Sequence, residues 1–410
     1  MNTIRQRMSL MINNKSMFDL LCSFIWTRYV IILFIIIGLN RLMNHEITDI
    51  IITVVTVLLA VLAIPYMIRK LKFRDIVFYL IFVGVYIFSM RTNEAIIYSY
   101  LDENLVTMLF RYAPLYLVGV CITDKETVDR LHVVSLTSIF VNVLFIAFAA
   151  RYLNQDTDYM SFSYYILPHI CLVLFYAAKE KSIWDILASL LGILSIIIYG
   201  TRGPFLSIAL IFLLYFMFYK KYRHKFISRV VAFILISAVY LLIIWFLIFY
   251  GPALSKIVLR TKILDNLTLS GFFFDNGRFE IFDVVMGGFA KDPLAVRGFA
   301  ADRILTNSYG NLFHYSHNLV LEMLYSFGII VGGAALINLF VNYFKGYYRC
   351  PDQKVKGLIL ILLCSNGLFK LLISSSFMLE PLFFLTIGIC VGAIRAGQKP
   401  SKLRLGGEFK

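Results

Sequence analysis

Long apolar segments separated by short polar ones recur along the chain from residue 24 to residue 395. Each runs for roughly 15 to 25 residues, which as an α-helix is long enough to cross about 30 Å of hydrocarbon. The pattern therefore predicts an all-α, polytopic membrane protein of about twelve spans. We place the spans at 24–43, 47–68, 75–90, 105–122, 132–150, 160–178, 183–199, 204–219, 227–250, 317–343, 357–374 and 380–395.

Composition supports this interpretation. Sixty per cent of the 410 residues are hydrophobic and 15% are charged, and a globule in water could not cover so much apolar surface with polar side chains. The six cysteines have neither paired nor metal-binding spacing, so we expect no disulfide framework. The bilayer is the expected solvent.

The Lys and Arg residues indicate the direction of the spans. With the N-terminus inside, 25 of the 39 lie in cytoplasmic segments and four in short outer loops. Both termini are therefore expected in the cytoplasm. The net charge of +15 follows from this topology, because the cations lie in short tracts between apolar runs and form no nucleic-acid-binding domain.

This orientation divides the chain into five segments and places one long loop outside the membrane. The loop contains seven basic and six acidic residues with many Phe and Gly, which favours a folded cap over a disordered linker. The segments are a cytoplasmic N-terminal segment (1–23), spans one to nine (24–250), the large extracytoplasmic loop (251–316), spans ten to twelve (317–395) and a cytoplasmic tail (396–410).

One candidate anion site lies at the predicted outer end of the span that follows residue 203. Pro204 suits the first turn of a helix, and Thr201 or Gly203 can cap it. Free N–H groups and the positive end of the helix dipole, with Arg202 beside them, suit a diphosphate at the membrane surface. Alternatively, Arg202 binds only lipid phosphate.

A candidate acid–base residue opens the tenth predicted span. His317 follows Ser316, a good N-cap residue, and precedes Asn318. It could act as a general base or as a hydrogen-bond donor to sugar or phosphate. The competing interpretation is an interfacial histidine that only satisfies backbone or headgroup groups.

Further arginines are predicted on the same outer side. Arg111 lies a few residues inside the fourth span, where a charge is costly unless it faces a polar interior. Arg278, Arg297 and Arg303 lie in the long loop. Lys370 is a weaker functional candidate than Arg111, because its side chain can reach the outer membrane interface.

The sequence lacks the motifs that bind nucleotides and catalytic metals. The chain has no nucleotide-binding loop of the GxxxxGK[ST] type, no HExxH motif and no Cys/His cluster at metal spacing. An ATP-driven pump is therefore excluded for a single chain, and we expect no metal and no cofactor.

Four motifs, which lie in this order at 159–164, 199–203, 276–293 and 317–328, resemble those of the bacterial O-antigen polymerase and O-antigen ligase superfamily. Motifs similar to that family cover about 155–335, and the topology covers the whole chain. One departure is Ala295-Val296-Arg297-Gly298, where the family often has Gly-x-Gly. The similar motifs are Tyr-Gly-Thr-Arg-Gly at 199–203, Asn-Gly-Arg at 276–278 with the stretch to Pro293, His317-Asn318 with Leu321, Glu322 and Gly328, and the segment 159–164.

The resemblance implies a GT-C-type fold and a metal-independent glycosyltransferase of the bacterial cytoplasmic (inner) membrane. It implies a polymerase that joins oligosaccharide repeat units carried on undecaprenyl diphosphate, with membrane lipids and a chain-length regulator as further partners and no nucleic acid. By resemblance, His317 is the base or acceptor-positioning group, and Arg202 and Arg278 bind the diphosphate. We add Arg111, Arg297 and Arg303 as candidate substrate-binding residues, and we count Arg278 with His317 as catalytic.

Two alternatives stay open. One is an O-antigen ligase that transfers finished glycan from the same carrier to lipid A core, because the motifs do not separate the two activities. The other is a flippase for lipid-linked oligosaccharides, which would predict repeat symmetry and charged residues at the membrane midplane.

Overall fold

The computed structural model describes residues 14–27, 45–92, 108–149, 159–199, 202–214, 277–309 and 315–398. This part of the chain is helical, with no strand in it, which confirms the all-α prediction. We number its α-helices in chain order. They are α1 (14–27), α2 (His45–Lys70), α3 (Phe73–Thr92), α4 (Leu115–Cys121), α5 (Lys125–Ala149), α6 (Tyr159–Glu180), α7 (Ile183–Tyr199), α8 (Arg202–Leu214), α9 (Arg278–Lys291), α10 (Ala301–Ser308), α11 (Leu319–Phe327), α12 (Gly333–Arg349), α13 (Gln353–Cys364), α14 (Phe369–Ile373) and α15 (Pro381–Gln398).

Within these ranges, five helical stretches are long and apolar enough to cross a membrane, and two shorter apolar stretches accompany them. The chain is thus a helical membrane protein. The predicted span 227–250 and loop residues 251–276 lie outside the described residues, as does nearly all of 24–43, so the count of twelve stays a prediction. The five stretches are Thr53–Lys70, Lys125–Leu144, Leu319–Arg349, Gln353–Ile373 and Pro381–Gln398, and the shorter two are Met108–Cys121 and Ile183–Ile196.

Helices extend beyond the predicted limits where polar residues continue the helix. Helix α5 begins at Lys125, seven residues before the predicted span at 132. The side chain of Asp124 accepts a hydrogen bond from the backbone N–H of Thr127 at 3.1 Å, which satisfies a free donor in the first turn. The hydrophobic pattern predicts which residues lie inside the membrane. It does not predict that polar residues before them form the first turns of the same helix.

The predicted spans 317–343 and 357–374 coincide with the apolar helical stretches Leu319–Arg349 and Gln353–Ile373, but each of them departs from regular α-helix at one point. A π-helical turn, Gly328–Gly332, separates α11 from α12. Gly328 has φ 69°, and a side chain there would meet the backbone of Leu294 at 2.8 Å. Because the backbone of Leu294 packs so closely against residue 328, this position requires glycine. In the span predicted at 357–374, the α-helix ends at Cys364, with Ser365 as its C-cap residue.

Small residues allow helices α4 and α15 to pack closely. A Cβ atom on Gly119 would lie 2.9 Å from the backbone nitrogen of Ile389, and one on Gly388 would lie 2.9 Å from that of Val120. Such contacts between backbones are typical of membrane helices, where packing of small residues replaces a hydrophobic driving force. This pair of helices forms part of the core on which the other helices pack.

Cations and carboxylates cluster at one end of the bundle, which we call the ion-pair end. The residues come from helices distant in sequence, and each belongs to a terminus, loop or helix end that the charge count assigned to the cytoplasm. Which side of a membrane this end faces stays a prediction. The pairs are Lys15–Asp124, Lys15–Glu126, Asp19–Arg130, Asp75–Arg395, Asp129–Lys354 and Glu180–Lys354.

Candidate active site

The opposite end of the bundle contains a long interruption of regular helix between α13 and α15. We call residues 365–380 the helix break. The chain forms a turn at 365–368, the short helix α14, a turn at Ser374, two residues without regular structure and a 3-10 turn at Phe377–Leu379. Consecutive serines favour such non-helical backbone, and Pro381 suits the first turn of α15. Backbone carbonyls in the break lack helical partners and can accept other donors.

Three consecutive carbonyls of the helix break face residues from the predicted site. Leu372 O accepts from Asn318 Nδ2 at 2.8 Å, and Ile373 O accepts from Arg278 Nη1 at 2.8 Å. Ser374 O lies 3.4 Å from His317 Nδ1. The tertiary structure thus brings together Arg278 and His317, which the sequence separates by 39 residues.

Arg278 reaches the break because its helix begins at that residue. Gly277 precedes α9 with φ 77°, a left-handed conformation that favours glycine. This explains the Asn-Gly-Arg sequence in structural terms. The Arg278 side chain is half-buried, so its carbonyl contact fixes the guanidinium while part of the residue remains accessible.

His317 lies just before α11 in a left-handed conformation, with φ 52°. For a residue with a Cβ this conformation costs roughly 1 kcal/mol, so neighbouring contacts must hold it. The helix N-cap is Asn318, not Ser316 as predicted. Its side-chain oxygen accepts from the backbone of Val320 at 2.9 Å and of Leu321 at 3.1 Å, while its amide nitrogen binds the break.

The surroundings of His317 favour its neutral form. Burial lowers the pKa of the imidazole to about 4, and the positive charges of Arg278 and Arg303 act in the same direction. A proton on Nδ1 can be donated to Ser374 O, which leaves Nε2 with the lone pair. The ring also packs beside that of Tyr315, with centroids 4.2 Å apart. A neutral, oriented imidazole is the form a general base requires.

The start of α8 approaches the same break. Helix α8 begins at Arg202 and has Pro204 in its first turn, as predicted. The backbone at Gly203 abuts the fully buried Tyr164, and a Cβ atom on Gly203 would lie 3.4 Å from the side chain of Ile373 in the break. The side chain of Arg202 lies outside what the structure describes, so its predicted contact with a diphosphate stays a prediction.

Arg303 is 5% exposed and is surrounded by polar partners. It pairs with Asp302 and Glu322 at 3.1 Å each and donates to Ser376 Oγ at 2.8 Å. Burial alone would lower its pKa, but the two carboxylates raise the pKa of Arg303 above its ordinary value. The predicted substrate-binding residue is thus one member of a buried cluster that reaches the helix break.

Arg297 connects the loop before α10 to the end of α11. Its guanidinium lies 4.5 Å from the centre of the Tyr325 ring and donates to Tyr325 O at 3.1 Å and to Asp292 O at 2.7 Å. The backbone nitrogens of Arg297 and Gly298 both donate to Ser326 O at 2.8 Å. Where the family pattern often has glycine, this arginine binds backbone carbonyls and joins two segments.

Arg111 lies in a π-helical turn, Met108–Tyr112, that precedes α4. This turn packs against Phe377–Leu379, so Arg111 is at the same end of the bundle as the helix break. The residue is half-buried. Single π-helical turns are often found at functional sites, and the placement is compatible with the predicted role.

The sequence-based prediction missed four groups: Tyr164, Ser374, Asp302 and Glu322. Lys370, which was given a weaker form of the argument for Arg111, pairs with buried Glu380 at 2.6 Å. A signal existed for some of the four groups, because Tyr164 and Glu322 belong to motifs similar to the family. The predicted spans already ended at 374 and restarted at 380, but the turn at 365–368 was not predicted.

Residues 187–336 match the family model described as O-antigen ligase. This segment of the chain is similar to that family. The matched segment includes α8, Arg278, Arg303 and His317, whereas the helix break lies after it. The resemblance found in the sequence is thereby confirmed, and the family covers glycosyltransferase-like ligases and related polymerases. A comparison with curated proteins found no match.

This arrangement combines cationic donors with a neutral imidazole at one end of a membrane bundle. Arginine side chains and a helix N-terminus can hold phosphate oxygens, and an oriented imidazole can accept a proton. Among the described residues no cluster of His, Cys, Asp or Glu could hold a metal ion. The groups present suit transfer chemistry on an anionic substrate that carries its own leaving group.

Proposed function

We propose that this chain is a polysaccharide polymerase that joins oligosaccharide repeat units carried on undecaprenyl diphosphate at the outer face of the bacterial cytoplasmic membrane. The observation that carries the proposal is the run of three carbonyls, Leu372 to Ser374, which face Asn318, Arg278 and His317. Arg278 and His317 converge on one backbone segment. In this proposal the cation that binds the diphosphate, Arg278, and the base, His317, therefore lie within reach of a single substrate.

The reaction follows from the roles of these groups. An acceptor hydroxyl attacks the anomeric carbon of the donor sugar while the bond from that carbon to the diphosphate oxygen breaks. The diphosphate leaves with the bonding electrons, and the hydroxyl proton passes to Nε2 of His317. Arg278 and the N-terminal end of α8 with Arg202 stabilise the negative charge that develops on the leaving group.

The chemistry needs neither nucleotide nor metal in this scheme. The lipid diphosphate is already an activated leaving group, so positive charge held by the protein is the main requirement. Arginine suits it because its planar donors can bind two oxygens at once. Arg111 is placed at the same end and would extend this positive surface.

The direct test uses purified full-length protein with a synthetic undecaprenyl-diphosphate oligosaccharide, without metal or nucleotide. We expect a ladder of products that differ by one repeat unit, resolved on a gel. Transfer to an added lipid A core acceptor without any ladder would replace the polymerase proposal with the ligase. Movement of donor across vesicles without any new glycosidic bond would replace it with the flippase.

The site must also face the outside. A reporter that is active only in the cytoplasm, fused near Asp275, should be silent, because the charge distribution places 251–316 outside. A fusion of the same reporter after Lys356 should be active. Activity near Asp275 would reverse the topology and remove access to substrates on the outer face.

A further inference from the structure

We propose that Asp302 and Arg303 are positioning residues for His317, and that they hold its backbone and ring in place instead of binding the donor diphosphate. This inference rests on the proposed function, in which His317 is the base. The contacts that carry it run through Ser316 on one side of the histidine and through the helix break on the other.

The first contact fixes the chain immediately before His317. The backbone N–H of Ser316, which is fully buried, donates to Asp302 Oδ2 at 2.8 Å. The other oxygen of that carboxylate accepts from Arg303 at 3.1 Å. One carboxylate therefore connects the residue before the histidine to the buried guanidinium.

The second contact connects that guanidinium to the helix break. Arg303 Nη2 donates to Ser376 Oγ at 2.8 Å, and Ser376 Oγ in turn donates to Glu322 at 2.6 Å. Two residues earlier in the break, Ser374 O faces the His317 ring. The contacts thus form a closed ring that starts and ends at His317.

A closed ring explains how His317 keeps an unfavourable backbone conformation. Its φ of 52° needs anchors on both sides. Asp302 provides the anchor before it, and Asn318, which caps α11 and binds Leu372 O, provides the anchor after it. Without Asp302, the peptide between Ser316 and His317 would be free to relax toward an ordinary conformation.

The burial of Arg303 argues against contact with the donor. Its side chain is 7% exposed, and its guanidinium is engaged by two carboxylates that balance its charge. A diphosphate would have to displace at least one buried carboxylate, which would leave that group without its partner. Half-buried Arg278 carries no such carboxylate pair among the described ion pairs, so it suits donor binding better.

The first experiment compares Asp302→Ala with Asp302→Asn in the full-length protein. We expect Asp302→Ala to lower kcat by about 100-fold while KM for the lipid-diphosphate donor changes less than about threefold, because a small displacement of a base disturbs the transition state and leaves ground-state binding intact. Asp302→Asn keeps an oxygen that can accept from Ser316 N–H and should recover much of kcat. The matched control is Asp292→Asn, an exposed aspartate before the same loop.

A second readout needs no glycosyl transfer. Diethyl pyrocarbonate modifies imidazole rings, and mass spectrometry of the peptides gives a rate for each histidine. In Asp302→Ala we expect the rate at His317 to rise about threefold or more, because the ring is held less firmly. His132, which pairs with Asp185 at the far end of the bundle, is the internal reference and should not change.

Arg303→Lys provides the decisive comparison if Asp302→Ala does not fold. A positioning role predicts a lower kcat with an unchanged KM, since lysine cannot reach Asp302, Glu322 and Ser376 together. A large rise in KM with unchanged kcat would instead place Arg303 on the donor and overturn the inference. Loss of folding in all three variants, beside a folded Asp292→Asn control, would overturn it by showing that the cluster serves the fold alone.

The two proposals fail in different ways. If native protein makes a ladder and Asp302→Ala alters neither kcat nor the modification rate of His317, the positioning inference is wrong and the polymerase proposal stands. If native protein makes no ladder with any acceptor, the polymerase proposal is wrong. The modification rate of His317 then still decides whether Asp302 positions it.

Discussion

At the ion-pair end of the bundle, cations meet carboxylates on other helices, whereas at the helix break Arg278, His317 and Asn318 face backbone carbonyls. Arg395 pairs with Asp75 across 320 residues of sequence, and Lys354 pairs with Asp129 and Glu180. At the break, by contrast, the three acceptors are consecutive carbonyls of one irregular segment. Both ends are rich in charge, and among the described residues the helices are interrupted at the helix break.

The difference shows which charged positions in a membrane protein indicate chemistry. A cation paired with a carboxylate on the next helix has its charge balanced and joins two continuous helices. A cation bound to a carbonyl at a break keeps its positive charge available for an anionic ligand, while the carbonyl fixes its direction. Irregular backbone in a membrane requires such partners, so its presence beside cations marks a site.

The largest effect is expected for His317→Ala. Loss of a general base lowers the transfer rate by about 100- to 10,000-fold, whereas binding of the lipid-diphosphate donor, which depends on arginines, should change little. The measurement is donor affinity beside ladder formation with purified protein. His169→Ala is a comparison within the buried core, where lost packing should lower thermal stability. A ladder that survives His317→Ala would remove this histidine from the mechanism.

A second large effect is expected at Arg278. Arg278→Ala should lower transfer by about 100-fold at unchanged protein amount in the membrane, because a donor aimed at developing negative charge is lost. Arg278→Lys should recover little, since a single ammonium cannot bind Ile373 O and two phosphate oxygens together. Full activity of the lysine variant would reject the two-oxygen contact. Rates and membrane levels are measured side by side.

A smaller effect is expected from Gly203→Ala. The new methyl group would meet the hydroxyl of Tyr164 and lie 2.9 Å from its ring carbon Cζ, and the buried ring has no space to move away. We expect a loss of stability of about 1 to 3 kcal/mol and a partial loss of transfer, because the start of α8 shifts from the break.

The matched control for this change is Gly287→Ala in α9, where nothing lies within 4 Å of the added methyl group. Alanine is a better helix former, so this control should keep its activity and gain slightly in thermal stability. Equal behaviour of the two variants in thermal unfolding and ladder assays would argue against close contact between α8 and Tyr164.

The smallest effect on chemistry is expected at the ion-pair end. Asp75→Asn removes one partner of a pair whose carboxylate is 1% exposed, which should cost about 3 kcal/mol of stability. Transfer per folded molecule should stay within about twofold of native, because the described ion pairs at this end join no residue of the helix break. Thermal unfolding and active-protein counts separate the two quantities. A large fall in kcat would show that the ion-pair end influences the chemistry at the helix break, and it would contradict the difference proposed between the two ends.

The candidate site was predictable in part. Arg202, Arg278 and His317 could be selected from motifs similar to one family, and the mixed composition of the loop 251–316 predicts a folded cap. The acceptors could not be predicted, because Leu372 and Ile373 act through backbone carbonyls that every residue has. The cap at Asn318 instead of Ser316 was likewise not predicted, because the Ser316 N–H donates to Asp302 in the preceding helix.

By itself, the sequence determined the helical class and the membrane as solvent, because both depend on the amount and spacing of apolar residues. The tertiary structure alone decided where those helices are broken and which residues meet there. The turn at Gly328–Gly332 and the first part of the helix break, 365–374, lie inside predicted spans, where the local pattern favours an unbroken helix. They are stable because partners distant in the sequence, such as Leu294 and Arg278, occupy the backbone that each break exposes.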